Sequence, residues 1–354
     1  MKKHIILVNS IMLLFSSISI GQKKSEPFEF KFKGNTLRGL IESPTDKKPI
    51  SLVIIVPGSG KTNFVEGNWY SDLRNYFTSH QMACCFWDKA GCGKSEGEFK
   101  QLEHPIEESA DEVVAAINKL STLNFPGLEK IGLWGISRAG WVCPYVIQKY
   151  PPIAFWISVS SPDENDQSEY QLKTNLLIQG RNEKEVQILT EEYVKGEAIF
   201  VSGGSFEDYC QATEIMRTVP YCVNQAGKTD RDSYYYYQEL FLKVGYQVDH
   251  TTGKVFFLPG FREAISNINC PVLAIFGEKD SQVDWRKSRL YYQQYLGSNK
   301  NSDLTIKTFQ DCNHNIQKCR TGAREEDLSE FGFVSCDGYY DSMTTWILNH
   351  KFGK

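Results

Sequence analysis

Short apolar runs alternate with amphipathic stretches along most of this chain. Residues 51–56, 82–87, 131–136, 153–159 and 271–276 form runs of six or seven residues that are apolar at most positions, and 304–309 is a further run with Leu304, Ile306 and Phe309 apolar. Runs this short, closed by Gly, Pro, Asp or Ser, read as strands, and those without polar alternation as strands buried on both faces. Residues 28–32 alternate, and 37–41 follow after Gly34-Asn35, which predicts an opening antiparallel hairpin. Between the runs lie helical patterns at 70–80, 105–120, 139–150, 285–295 and 340–350; in the second, Ile106, Val113, Val114, Ile117 and Leu120 share one face. Strands that alternate with helices give a mostly parallel sheet covered on both sides. From 163 to 267 the alternation stops. That stretch is polar and aromatic, with helical patterns at 183–195 and 234–244, and it reads as an inserted, largely helical lid of subdomain size. The expected organisation is a core of 22–162 and 268–354 around a lid of 163–267.

The start of the chain stands apart. Met1-Lys2-Lys3-His4 is basic, residues 5–20 are mostly apolar with interrupting serines, and the run ends near Gly21-Gln22. This is the layout of a secretory signal peptide over 1–21, and it implies export to the periplasm or medium with no stable membrane anchor after cleavage. Export changes the reading of the 10 cysteines, because disulfides persist outside the cytoplasm. Cys210 with Cys222, and Cys312, Cys319 and Cys336 among themselves, are bridge candidates; Cys84 and Cys85 are neighbours on one strand and point to opposite faces. No Cys/His spacing matches a zinc site. A net charge of −4 argues against a nucleic-acid partner.

In parallel sheets of this kind ligands collect at the carboxyl ends of the strands. The chemically marked residues fall there. After the strand 131–136, Gly135-Ile136-Ser137-Arg138-Ala139-Gly140 leads into a helix, so Ser137 sits on a strand–turn–helix apex. This is the setting of a nucleophile elbow. A serine hydroxyl needs a base, and the base needs a carboxylate to fix its tautomer. Of the 6 histidines, only His314 sits just past a strand on its carboxyl side and after both Ser137 and an acid; His350 ends the last helix. Asp280, just past the run 271–276, is the expected acid, with Asp284 in the same loop as the alternative; Asp163 and Glu164 are weaker candidates. The oxyanion of an acyl-transfer intermediate needs two preorganised N–H donors. These are expected from Arg138, at the head of the elbow helix, and from Ser59 in the loop Pro57-Gly58-Ser59-Gly60. Gly58 and Gly60 allow the loop to turn its amides, and Gly135 lets strand and helix pass closely.

The order Ser137, Asp280, His314 resembles the α/β-hydrolases. So does Pro57-Gly58-Ser59-Gly60, similar to their oxyanion loop with proline where many have histidine. Asp88 to Gly97 resembles their Asp-x-Arg-Gly-x-Gly-x-Ser-x-Gly segment, with Ala90 in place of arginine, and Ala139 stands where the elbow's second glycine belongs. Cys312-Asn313-His314, with Thr321-Gly322 after it, is similar to exported bacterial esterases of the serine-aminopeptidase-like branch. The resemblance implies a serine hydrolase of α/β-hydrolase fold without metal or organic cofactor, acting on a small-molecule acyl ester. Peptide, amide or thioester hydrolysis uses the same parts, and Glu191 and Glu192 in the lid are candidate anchors for a substrate amine. A non-catalytic binding protein on the same fold is the other alternative. Tyr234 to Tyr237 suit either an apolar substrate group or the lid's own core. Gly60-Lys61-Thr62 and Gly93-Lys94-Ser95 look like P-loop ends, but Ile55 and Asp88 occupy the position of the earlier glycine, so the phosphate cradle is missing.

Overall fold

A computed structural model describes residues 23–100, 105–243, 247–248, 255–256, 258, 260–297 and 303–350. The expected leader at 1–21, and His104 and His250, lie outside the described residues. The strands β1 (Lys23–Phe32) and β2 (Asn35–Pro44) form the antiparallel hairpin that Gly34-Asn35 foretold. The remaining long strands are β3 (Ser51–Val56), β4 (Met82–Trp87), β5 (Ile131–Ile136), β6 (Phe155–Val159), β9 (Val272–Gly277) and β10 (Leu304–Phe309). β7 (Gln247–Val248) and β8 (Val255–Phe256) make a separate small hairpin. One sheet holds the eight long strands in the order β1-β2-β4-β3-β5-β6-β9-β10, parallel from β4 onward.

All six residues of β3 and of β5 are buried, because helices cover both faces. Alternate residues feed two separate cores: Leu52, Ile54 and Val56 join one cluster, Val53 and Ile55 the other. Cys85 and Cys84 divide in the same way, so their thiols point apart. The helices between strands are α1 (Ser71–Ser79), α2 (Ile106–Ser121), α3 (Ala139–Lys149), α9 (Phe261–Ser266), α10 (Trp285–Tyr295) and α11 (Tyr339–Asn349). Pairing aligns the carboxyl ends: Val56 stands opposite Gly135, Ile136 opposite Val159, and Phe309 opposite Gly277. The loops after β3, β5, β9 and β10 therefore leave the sheet along one edge.

The insertion folds as α4 (Ser168–Ile178), α5 (Glu183–Val201), α6 (Phe206–Ala212), α7 (Pro220–Ala226) and α8 (Arg231–Lys243). These helices close a core of their own, built on Leu172, Leu189, Phe200, Tyr209 and Tyr234. Buried Lys228 donates to Glu197 at 2.6 Å, over the face of Phe200, so no charge is left alone inside it. α9 falls within the span that the sequence assigns to the insertion, yet Phe261, Ala264 and Ile265 pack into the main core. A six-residue helix has too few periodic positions to show its partner in the sequence.

The cysteine outcome is mixed. Cys312 and Cys336 form a disulfide, and Cys319 remains a thiol. Cys210 and Cys222, bridge candidates by spacing, are also free thiols: Cys222 is buried in the insertion's core and Cys210 packs on its edge. Among the described residues no helix is long and apolar enough to cross a membrane.

Candidate active site

Ser137 adopts φ +57°, a left-handed backbone that a serine takes at a cost of about 1–3 kcal/mol. The surroundings hold it there. Its N–H donates to the carbonyl of Val159 at 2.9 Å, and its own carbonyl accepts from the N–H of Gly140 at 2.8 Å. Close packing fixes the sequence of the turn. A Cβ on Gly135 would stand 2.9 Å from both the Ala139 Cβ and the Cys143 Sγ. A Cβ on Gly140 would stand 2.2 Å from the Ser161 Cβ. Ala139 is tolerated because its methyl fills the space that Gly135 leaves, while Gly140 is the position that must be bare.

The expected acid and base lie together. Asp280 and His314 are both buried, at 2% and 6% exposure, and His314 Nδ1 lies 2.8 Å from Asp280 Oδ2. The other oxygen of Asp280 accepts from the N–H groups of Gln282 and Val283 at 2.8 and 3.0 Å. The carboxylate is thus fully oriented, with one oxygen on the backbone and one on the imidazole. Asp284 instead caps α10, accepting from the Lys287 N–H at 3.4 Å. Asp163 is turned into its own loop, accepting from Asn165 and Gln167, and Glu164 pairs with Arg262. His80 and His350 are bonded to the carbonyls of Tyr76 and Trp346, away from this edge.

His314 stands on a stapled loop. Cys312, two residues before His314, is tied to Cys336, and a Cβ on Gly277 would meet the Asn313 carbonyl oxygen at 2.3 Å. The loop that carries Asp280 is gripped by α4. Tyr170 Oη donates to the Asp280 carbonyl at 2.7 Å, Gln171 Nε2 to that of Gln282 at 3.0 Å, and Asn175 Nδ2 to that of Ser281 at 3.3 Å. Ser137 Oγ and His314 Nε2 make no hydrogen bond with each other at or below 3.5 Å.

Gly58 lies over the elbow: a Cβ there would be 3.3 Å from the Ser137 Cβ. Lys89, which the sequence offers only as part of a loop segment, reaches back to this loop. Its Nζ donates to the carbonyls of Gly58 at 2.6 Å and Gly60 at 2.9 Å. In a planar trans peptide the N–H points opposite the carbonyl, so drawing the Gly58 carbonyl toward Lys89 turns the Ser59 N–H away from it. Among the described residues that N–H has no intramolecular acceptor. Burial, and then the nearby Arg138, push the pKa of the Lys89 ammonium down to about 8, against the opposing pull of Glu112 and Cys92. Arg138 heads α3, with its guanidinium on Ser109 Oγ at 3.0 Å. The signal for Lys89 in the sequence was a cation two residues past a fully buried strand, beside the buried Asp88.

The suggested amine anchors are occupied elsewhere. Glu192 accepts from the Met216 N–H at 2.6 Å and Glu191 from Gln187 Nε2 at 2.9 Å, both within the insertion. Tyr234 belongs to the insertion's core, and Tyr236 and Tyr237 line a surface cleft.

No family model matches the chain. Over 107 residues, 30% of its length, it is 31% identical to a polyketide transferase of Gibberella fujikuroi, and that match spans 32% of the relative. In three dimensions it is similar to the esterase Pf2001 of Pyrococcus furiosus, with TM-score 0.53 and 12% identity over 93% of this chain and 92% of that one. DcsB, solved with a substrate analogue, aligns with TM-score 0.52 and 17% identity over 92% of this chain and 99% of that one. Dipeptidyl peptidase 4 of Porphyromonas gingivalis aligns with TM-score 0.50 and 14% identity over 92% of this chain and 35% of its own. Likeness at these identities speaks for architecture, and the architecture is the α/β-hydrolase fold.

Proposed function

We propose that this chain of α/β-hydrolase fold is a serine hydrolase that cleaves carboxylic esters. Ser137 is the nucleophile, His314 the base and Asp280 the acid. The observation that carries the reading is the buried Asp280–His314 pair at the same sheet edge as a serine held at φ +57°. Ser137 Oγ attacks the acyl carbonyl as His314 Nε2 takes its proton. The Asp280 carboxylate keeps the Nδ1 proton on the far side of the ring and stabilises the imidazolium. The oxyanion is received by the N–H groups of Ser59 and Arg138, the second at the positive end of α3. His314 then returns the proton to the leaving alcohol. A water deprotonated by the same nitrogen releases the acid and frees Ser137. The chemistry calls for no metal or organic cofactor.

Export of the mature chain, with 1–21 removed, is part of the proposal; the Cys312–Cys336 disulfide supports an oxidising compartment. So is a lid role for α4 to α8, supported by the grip of α4 on the acid loop. Esters are preferred over aminoacyl amides because both suggested amine anchors are already engaged. Short-chain aryl esters are expected to turn over faster than aminoacyl arylamides at equal concentration, and the reverse ranking refutes the ester assignment.

Lys89 positions the oxyanion loop in this account. Lys89→Met is expected to lower kcat by roughly tenfold to a hundredfold with little change in KM, the effect of a loosened donor. Its charge-assisted bonds weaken as the ammonium loses its proton near pH 8. The wild-type kcat profile therefore declines on that alkaline side, and the decline is absent from the variant. Stopped assays over a pH range that brackets this transition on both sides read both effects.

A further inference from the structure

Two hollows meet at one side chain. The inner one lies beside the oxyanion loop, has a cavity volume of about 50 Å³, room for a compact group, and is bounded by Ser59, Arg138 and the apolar faces of Trp87, Ala90, Val113 and Val142. Its charged members are each already held. Lys89 is on two carbonyls, Glu112 accepts from Trp87 Nε1 at 2.7 Å, and Arg138 is on Ser109. What they leave facing the hollow is mainly hydrocarbon. The outer hollow is larger, about 540 Å³, and is walled by Tyr236, Tyr237, Leu240 and Phe241 of α8 together with Lys228.

Phe99 belongs to the lining of both hollows. It is half-buried, and it sits on the irregular segment after β4, two residues beyond Gly97 at φ +96°. A ring that bounds two adjoining spaces is the partition between them.

We propose that the inner hollow receives the acyl group of the substrate and that Phe99 sets its length. This rests on the serine-hydrolase reading above. The substrate class is then esters of compact, uncharged aliphatic acids. A long acyl chain runs into the Phe99 ring, and removing the ring lets it continue into the aromatic cleft beneath α8. Each methylene denied burial costs a factor of a few in kcat/KM.

The experiment compares 4-nitrophenyl acetate, butyrate, octanoate and decanoate with wild type, Phe99→Ala and the milder Phe99→Leu. Wild type is expected to favour the two short esters. The octanoate-to-acetate ratio of kcat/KM rises at least about tenfold in Phe99→Ala and by less in Phe99→Leu. Phe99→Leu retains most of the packing, so it reports even where Phe99→Ala unfolds. Equal ratios in wild type and both variants overturn the assignment of Phe99 while leaving ester hydrolysis intact. A wild type that already prefers decanoate also overturns it. No turnover of any ester by folded wild type removes the hydrolase reading itself.

Discussion

Ser137→Ala is expected to lower kcat on a short-chain aryl ester by on the order of 10⁶-fold, leaving at most the residual rate that oxyanion donors and binding give without a nucleophile. The size of the loss follows from the arrangement. With the hydroxyl gone, the imidazole of His314 has no alcohol to activate, and its buried partner Asp280 can only hold a base with nothing to deprotonate. The fold should survive. Ser137 is half-exposed, its Oγ makes no hydrogen bond among the described residues, and the strained backbone is held by main-chain bonds to Val159 and Gly140 that alanine keeps. Thermal unfolding within a few degrees of wild type, with turnover lost, is the expected pair of results. Turnover retained by a folded Ser137→Ala places the chemistry elsewhere.

Asp280→Asn is expected to cost about 10⁴-fold in kcat while the chain stays folded. Asparagine has the shape of aspartate, but only one of its side-chain atoms accepts. That atom is claimed by the N–H groups of Gln282 and Val283, which in the native chain donate to one oxygen of Asp280. The amide nitrogen is left facing His314 and donates to Nδ1. The ring then carries its proton on Nε2, the nitrogen that must take the proton of Ser137. Asp284→Asn is the matched control. That residue caps α10, asparagine is as good a cap, and activity should fall by less than about threefold. Steady-state kinetics on both variants separate the two carboxylates, and a larger loss in Asp284→Asn reverses the assignment.

The central parallel strands were legible because burial on both faces leaves nearly uninterrupted apolar runs: Ser51–Val56 and Met82–Trp87 coincide with the runs that mark them. Leu304–Phe309, at the sheet edge and only partly buried, shows instead through Leu304, Ile306 and Phe309 among polar residues. The elbow was legible through small residues at a strand end. Ala139 looked like a defect in the pattern because sequence shows identity and not contact; the near approach of Gly140 to Ser161 is what decides which position stays bare. Separating Asp280 from Asp284 by distance to the strand end agreed with the pairing to His314. Lys89 was passed over because its partners are backbone carbonyls, which leave no trace in side-chain identity. The grip of Tyr170 and Asn175 on the acid loop was invisible for the same reason, since α4 is more than a hundred residues away along the chain. Cysteine spacing did not select the pair: Cys312 had Cys319 and Cys336 as candidate partners, and packing joined it to Cys336, the more distant in sequence.

That one strained serine is the nucleophile is tested most directly by treating the folded protein with a fluorophosphonate ester and weighing its peptides. A single phosphonyl adduct is expected on the peptide that carries Ser137, formed in wild type and greatly slowed in His314→Ala. An adduct that maps to another residue, or a protein left unlabelled under conditions that modify a known serine esterase, contradicts it.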